Sequence, residues 1–308
     1  MEFGLAPLDI GSSAFSVPIS EKEYEQIASA KAGLLESLFV EEKFDLVMDN
    51  YLELESCFLD ATARMMVLRN QDYQWFQVQR NLFNRRLVNL LSACRSYIDY
   101  SKQHIHSTLR GDDKAVMRIE AAFSLHYDNC LGYRVMEALR NFVQHQGFPI
   151  HAVEYPQSWQ GEGDDSQLMF GLSLYTKTTY LREGGGFKNS VLEELESLGG
   201  RVDLKPLVRD YIAALGDIHN SMRQMLRPSH EAWDQVFLGA IDRFKSGNPS
   251  ERSDVGLAAI SRENDKLKHY IAVFRDIIDY RLALEGKNKN LMNLGKRYVT
   301  GVVVKKDA

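Results

Sequence analysis

The chain has 308 residues, of which 44% are hydrophobic, and its formal net charge is −5. This length and composition are sufficient for one large or two modest globular domains with a real core. The acidic balance argues against a protein that coats nucleic acid over its whole surface, although a local basic groove is compatible with it.

The first 20 residues, MEFGLAPLDIGSSAFSVPIS, lack both the basic and the apolar stretch of a secretory signal. No later segment approaches the roughly 18 apolar residues that a membrane-spanning helix needs. We therefore expect a cytoplasmic protein without a membrane partner, in which residues 1–20 form an N-terminal extension.

The three cysteines, Cys57, Cys94 and Cys130, form an odd set without CxxC spacing. This pattern indicates neither a disulfide framework nor a zinc cluster. We interpret the cysteines as buried thiols, and we expect neither a metal nor another cofactor.

Residues 20–147 are predicted to be helical, because apolar residues recur at spacings of three and four while prolines and glycine pairs are missing. Breaks are expected at residues 69–72 and at 110–113, where RGDD offers a glycine stop and an aspartate start. A long helix between them has a continuous apolar stripe, formed by Phe83, Leu87, Leu90, Leu91, Cys94, Tyr97, Ile98, Ile105 and Leu109. The next helix is expected to run unbroken to His145, which gives two long antiparallel helices.

Residues 151–187 are predicted to form a small antiparallel β-hairpin, because they alternate and are rich in β-branched and aromatic side chains. Additional helices are expected in the C-terminal region, residues 188–308, among them one over residues 267–286. Pro228 is expected to interrupt a helix, and residues 245–254 are the best linker candidate. The fold class is therefore mainly α, with a small hairpin and C-terminal helices.

The segment EALRNFVQHQGFPI, residues 137–150, crowds an arginine, an asparagine and a histidine beside a helix end. On a helical wheel the polar residues share one side and the apolar residues the other. The polar column is Asn141, Glu137, Arg134, Cys130 and His126 with His145; the apolar column is Leu131, Val135, Leu139 and Phe142. Arg140 lies about 140° from His145 on an ideal helix. Histidine exchanges protons near neutral pH and arginine keeps its charge, so the pair suits phosphate chemistry.

A solvated polar face is the ordinary interpretation of such a column, and Arg134 and Glu137 have the spacing of a surface ion pair. Arg95 and Asp99 on the preceding helix have that spacing as well. Elsewhere, Arg223 and His230 also fit an Arg-x6-His pattern, but the predicted break at Pro228 separates them. The glycines of REGGGF, residues 182–187, lack the lysine and the Ser/Thr of a P-loop and are interpreted as a turn.

The hexapeptide RNFVQH, residues 140–145, resembles the Arg-x4–6-His motif of HEPN domains, including the polar residue that follows the arginine. The long preceding helix and the stop after the motif are also similar to HEPN proteins, over about residues 72–150. The resemblance implies a HEPN-like long-helix bundle over residues 21–150. It also implies a metal-independent endoribonuclease of a bacterial antiviral or toxin system, in which two motif helices face each other across a dimer groove. One motif per chain then predicts a homodimer, with an antitoxin or regulatory partner as a further expectation.

The side chains themselves suit this chemistry. RNA supplies its own nucleophile, the 2′-OH, so an enzyme needs only to move protons and to stabilise a phosphorane. We assign acid–base catalysis to His145, phosphate binding to Arg140 and orientation to Asn141, with a 2′,3′-cyclic phosphate product. Supporting roles are assigned to Glu137, Arg134 and Asp99, each of which can reach or orient the motif.

The alternative is a non-catalytic HEPN-like dimeric module that binds nucleic acid, a nucleotide or a partner protein. In that case Arg140 and His145 serve binding only. An Arg140 held in core ion pairs would favour this alternative, whereas an intact motif favours catalysis.

Overall fold

The computed structural model describes residues 1–8, 16–69, 72–109, 112–247, 256–291, 293–297 and 299. Within these ranges the protein is mainly helical, as the sequence predicts. The α-helices are α1 (Glu21–Leu68), α2 (Tyr73–Thr108), α3 (Asp113–Asn129), α4 (Leu131–His145), α5 (Thr178–Gly184), α6 (Asn189–Leu198), α7 (Leu204–Gly247) and α8 (Asp276–Lys287). The strands are β1 (Glu2–Pro7), β2 (Val17–Ile19), β3 (Ala152–Glu154), β4 (Gln157–Gln160), β5 (Gln167–Phe170), β6 (Ser173–Lys177), β7 (Arg201–Asp203), β8 (Leu257–Glu263) and β9 (Lys266–Val273).

The chain divides into two compact units. The first comprises Met1–Asp45, Tyr97–Met117 and Ser221–Lys289, and the second comprises Leu46–Ser96, Arg118–Asn220 and Asn290–Ala308. Each unit takes residues both from the predicted helical core, 21–150, and from the predicted C-terminal region, 188–308.

The first unit contains a four-stranded antiparallel sheet in the order β2-β1-β8-β9. Residues 2–7 and 17–19 of the predicted N-terminal extension are therefore strands of this sheet. Its apolar face joins a core that includes Leu5 from β1, Leu34 from α1 and Phe237 from α7. A β-bulge falls between Ser261 and Arg262, where β8 pairs with β9.

The prediction of one helix over residues 267–286 is wrong in its first half. Residues 266–273 form β9, and only residues 276–287 form α8. The apolar residues of LKHYIAVF fit a strand as well as a helix, and pairing with the buried β8 decides between the two. Of the predicted linker, residues 248–254 lie outside the described residues, and residues 245–247 end α7.

The second unit has a small three-stranded sheet in the order β3-β6-β7 and a separate pair, β4 with β5. The prediction of a single hairpin over residues 151–187 is thus wrong in detail. The outer strands β3 and β6 pair, the inner strands β4 and β5 pair, and β7 from beyond the predicted insertion adds to β6. Residues 178–184 form α5 instead of continuing the strand, and the glycines at 185 and 186 make the predicted turn with φ values of 69° and 72°.

The long helix α2 confirms the predicted periodicity. Its 36 residues bury the stripe from Phe83 to Ile105, while Leu109, beyond its end, is half-buried. The predicted breaks on either side of α2 are confirmed, because α1 ends before residue 69 and α3 begins at residue 113. Residues 70–71 and 110–111 lie outside the described residues.

Two other helix predictions are wrong. The helix expected to run unbroken to His145 divides at Cys130 into α3 and α4. Conversely, α7 continues through Pro228 for 44 residues. A proline inside a helix costs about 3 kcal/mol, and here burial of Leu226 and Phe237 on either side offsets that cost.

Candidate functional site

The motif lies on α4, whose start is set by Cys130. This residue is extended (φ −117°, ψ 107°) and its thiol accepts a hydrogen bond from the Tyr133 backbone N–H at 3.4 Å. Two residues later, a Cβ on Gly132 would stand 2.4 Å from the carbonyl oxygen of Leu207 on α7. Only glycine permits this close approach. Gly132, just after the break between α3 and α4, therefore allows α4 to pack directly on the backbone of α7.

The two faces of α4 are largely those that the wheel predicts. Val135, Leu139 and Phe142 are buried, and Leu131 is half-buried. The buried face is broader than predicted, because Tyr133 also packs edge-on against Tyr211 of α7, at 5.0 Å between ring centroids. Burial of these apolar side chains fixes α4 and leaves the polar side of its last two turns at the surface.

The last two turns of α4 carry the predicted catalytic residues. Arg140 is half-buried, whereas Asn141 and His145 are exposed. The Arg140 guanidinium donates from Nη1 to Oδ1 of Asn141 at 3.1 Å. Within the described residues no carboxylate neutralises Arg140 or accepts a hydrogen bond from His145. These turns therefore present a permanent cation and an imidazole, both accessible to an anion.

The connection after the motif is anchored by Asn84 of α2. Its buried side chain donates from Nδ2 to the Ile150 carbonyl at 3.1 Å and accepts from the Ile150 N–H at 2.9 Å. The end of α4 also contacts α5, since a Cβ on Gly184 would lie 2.8 Å from the Phe142 ring and 3.7 Å from Cβ of Gln146. The residues on both sides of His145 are therefore held in place.

Glu137, a predicted supporting residue, is bound inside the second unit. Its Oε1 accepts from the hydroxyl of Tyr211 at 2.7 Å, and its Oε2 accepts from Arg95 of α2 at 3.4 Å. Burial and the nearby Glu137 carboxylate raise the pKa of the Cys94 thiol, which keeps that thiol protonated. This carboxylate thus ties α4 to α2 and α7, one turn before the motif.

Arg134, the second predicted supporting residue, stabilises the break between α3 and α4. Its guanidinium donates to both carboxylate oxygens of Glu194 on α6 and to the backbone carbonyls of Tyr127 and Asp128 at the end of α3. These bonds satisfy carbonyls that a helix end leaves without partners. The structure therefore gives Arg134 a positioning task three turns from His145.

Asp99, the third predicted supporting residue, is exposed on the part of α2 that belongs to the first unit. His126 is half-buried on α3. Cys94 is buried as predicted, whereas Cys57 and Cys130 are half-buried.

The second Arg-x6-His pattern lies in the first unit, on one continuous helix and not on two. Arg223 forms a bidentate ion pair with the buried Glu41, with Nε to Oε1 at 2.8 Å, and also donates to the Asn288 carbonyl. His230 is 8% exposed, and its ring lies 6.2 Å from that of the buried His104. These groups form a polar cluster within the core, whose guanidinium is already neutralised.

No pattern in the sequence indicates a role for His151. Its Nδ1 accepts the backbone N–H of Lys177 at 3.0 Å, and its ring stacks on Tyr180 with 5.0 Å between centroids. Burial and the charges of Lys177 and Arg80 lower the pKa of His151 to about 4. Nothing in the spacing of these residues signals their proximity, because they come from α2, the connection to β3, β6 and α5.

In the described part of the chain, no group of three or more histidine, cysteine or acidic side chains is arranged to hold a metal ion. None of the helices there has a stretch that is both apolar and long enough to cross a bilayer. Comparison of the chain with family models, with curated proteins and with solved structures gives no match.

Proposed function

We propose that the protein is a metal-independent endoribonuclease of HEPN type that cleaves RNA at the final turn of α4. The 2′-oxygen of RNA forms a new bond to phosphorus while the bond to the 5′-oxygen breaks. His145 accepts or delivers the transferred proton, Arg140 stabilises the charge on the phosphorane, and Asn141 orients the guanidinium. The products carry a 2′,3′-cyclic phosphate and a 5′-hydroxyl.

The observation that carries this proposal is the state of Arg140. Arg140 is half-buried, donates to Asn141 and has no carboxylate partner among the described residues, so its full positive charge remains at the surface. Arg134 in the same helix, by contrast, is saturated by Glu194 and two carbonyls. Arg140 is thus available for a phosphate, as the catalytic assignment requires.

The setting of the motif also supports the proposal. The 36-residue α2 precedes the motif in the chain, and α4 ends at His145, followed by the exposed Gln146 and by Gly147. A motif at a helix end with the opposite face packed in a core resembles the arrangement in HEPN domains, where such residues line a groove between two helices.

A homodimer completes the proposed site. Each chain offers one exposed imidazole at this position, whereas the reaction needs both a base for the 2′-OH and an acid for the 5′-oxygen. Two copies of His145 facing each other across a two-fold axis supply both groups. RNA is then the substrate. A bacterial antiviral or toxin role, with an antitoxin or another regulatory partner, belongs to the same proposal.

The test compares the wild-type protein with His145→Ala and Arg140→Ala. Removing the acid–base group should lower the rate of RNA cleavage by about 10²–10⁴-fold with little loss of RNA affinity. Removing the guanidinium should lower the rate by about 10²–10³-fold and weaken binding too, because the cation contacts phosphate before and during the reaction. Gln144→Ala changes an exposed residue of the same turn and serves as the matched control.

Cleavage is followed on total cellular RNA through the appearance of cyclic-phosphate ends, and circular dichroism checks the fold of each variant. The proposal fails if wild type and the His145 variant release the same ends at the same rate. Light scattering tests the dimer, and a monomer at every concentration that supports cleavage would contradict the two-histidine site.

A second function, RNA binding without cleavage, is favoured by one observation. In the described residues the His145 imidazole has no hydrogen-bonding partner that sets its tautomer, whereas general bases are ordinarily oriented by a third group. If the wild type binds RNA through Arg140 and releases no cyclic-phosphate ends, the binding module replaces the nuclease.

A further inference from the structure

Two cations of the second unit, Lys177 and Arg80, both lie close enough to His151 to act on its charge. Lys177, at the end of β6, is half-buried, and its Nζ lies 5.3 Å from the centroid of the Tyr180 ring. Arg80, on α2, is half-buried one turn before Asn84, whose side chain binds the residue that precedes His151. Within the described ranges neither cation forms an ion pair, whereas Arg201 and Arg182 of the same unit are paired with Glu154 and Glu196.

His151, on which both cations act, is fixed as a hydrogen-bond donor. Since its Nδ1 accepts the Lys177 N–H at 3.0 Å, the proton of the neutral ring is on Nε2. The low pKa of about 4, caused by burial and by Lys177 and Arg80, keeps the ring neutral at physiological pH. The His151 ring therefore offers an N–H donor at Nε2 beside the charges of Arg80 and Lys177, and Nε2 cannot accept a hydrogen bond.

We propose that Arg80, Lys177 and the Nε2–H of His151 form a phosphate-binding subsite for a phosphodiester of single-stranded RNA, next to the one that is cleaved at the motif. The donor set is the kind that recognises phosphate oxygens: a guanidinium, an ammonium and a fixed N–H, with no neutralising carboxylate in the part of the chain that the structure describes. This inference rests on the proposed function for the identity of the neighbouring site.

The position of the subsite relative to the motif follows from α5. Gly184, at the end of this helix, packs against Phe142 and Gln146 of the motif turn. Tyr180, one turn earlier, stacks on His151. A seven-residue helix is about 10 Å long, so the subsite and the motif are separated by the length of a few nucleotides.

A single strand is favoured over a duplex by the connection between the two sites. Phe148 lies three residues after His145 and is 61% exposed. Exposed aromatic rings beside basic groups stack unpaired bases, and a base-paired helix hides its base faces. Phe148 lies on the connection between His145 and His151, and it is therefore the candidate ring for stacking a base of the bound strand.

The test measures binding of a single-stranded DNA oligonucleotide of about 12 nucleotides, which is within the usual range of single-strand sites. It lacks the 2′-OH, so binding is measured without cleavage. Fluorescence anisotropy over a series of salt concentrations is recorded for the wild type, Arg80→Gln and Lys177→Gln. Each variant should weaken binding about tenfold, and each should reduce the slope of log K against log salt by about 0.7.

Arg182→Gln is the matched control, because its guanidinium lies on α5 but is already neutralised by Glu196. Its affinity and its salt slope should equal those of the wild type. His151 is left unchanged, since its ring holds the Lys177 backbone; instead its ¹⁵N resonances are followed, and bound oligonucleotide should raise the pKa of the ring. Inorganic phosphate and a mononucleotide are titrated in parallel.

The subsite is refuted if the Arg80 and Lys177 variants keep the wild-type affinity and slope, or if inorganic phosphate saturates His151 while the oligonucleotide leaves its resonances unchanged. Failure of the subsite and failure of the proposed nuclease function give different results in these experiments. Binding that depends on Arg80 and Lys177 without cleavage of RNA rejects the nuclease and keeps the subsite. Cleavage that depends on His145, with unaltered binding in both variants, rejects the subsite alone.

Discussion

Lowering the pH from 7 to 5 should destabilise the first unit, because His104 and His230 are buried as neutral rings. Burial lowers the pKa of His104 to about 4, partly opposed by the charge of Glu41. Burial, with the positive charge of Arg281 and the neighbouring His104, lowers the pKa of His230 to about 3. In the unfolded chain both rings return to a pKa near 6.5, so the unfolded state takes up protons at a pH where the folded state does not.

The size of the effect follows from the pKa of His104. One pKa unit corresponds to about 1.4 kcal/mol, so protonation below pH 4 removes about 3 kcal/mol of folding free energy through this residue alone. Between pH 7 and pH 5 the loss is about 2 kcal/mol. The loss begins as the pH falls below 6.5 and is complete below the folded pKa. His230 adds to it, although two adjacent charged rings do not contribute independently.

Urea denaturation at pH 7, 6 and 5 measures this dependence. The variant His104→Gln should be less stable at pH 7 but should show a flatter dependence on pH than the wild type. His269→Gln changes an exposed histidine of β9 in the same unit and should leave the dependence unaltered. Equal slopes for the wild type and the His104 variant would refute the reasoning, whatever their absolute stabilities.

Two further predictions concern single contacts. Glu41→Gln leaves the largely buried Arg223 guanidinium without its carboxylate partner, and we expect a loss of about 3–5 kcal/mol in unfolding free energy by urea denaturation; a loss below about 1 kcal/mol, the range of surface pairs, would contradict this reasoning. Asn84→Ala removes both hydrogen bonds to the Ile150 backbone and should cost about 1–3 kcal/mol, with faster amide exchange at Ile150. The matched change Asn81→Ala, at an exposed position of the same helix, should alter neither quantity.

The spacing of apolar residues is sufficient to predict a helix when the same apolar stripe is the face that is buried. The stripe of α2 from Phe83 to Ile105 is buried as expected, since a helix of 36 residues repeats its pattern over many turns. Residues 267–273 are too few to distinguish a strand from a helix, and their pairing with β8 depends on residues that the local window does not contain. Pro228 shows the same limit, because packing along α7 overrides a strong local preference.

The candidate site likewise has features that local sequence predicts and features that depend on distant contacts. The place of Arg140 and His145 at a helix end follows from the Gly147 and Pro149 stop, which is a local signal. The tasks of Glu137 and Arg134 do not follow from a local signal, because their partners Tyr211 and Glu194 are 74 and 60 residues away in sequence. Asn84 and His151 were missed for this reason: each acts on the backbone of a distant segment, and such contacts leave no spacing pattern.

The edge of the four-stranded sheet has a consequence for self-association. β9 is an outer strand, and its first five residues are exposed, including Leu267 and Tyr270. An edge of this kind is a template for a second copy of the chain, yet it carries Lys266 and Lys268 and lies beside a bulge. Two such edges in register would place lysines against lysines, and the bulge would twist the strands apart. The lysines and the bulge therefore disfavour growth of this sheet into a fibre through its β9 edge.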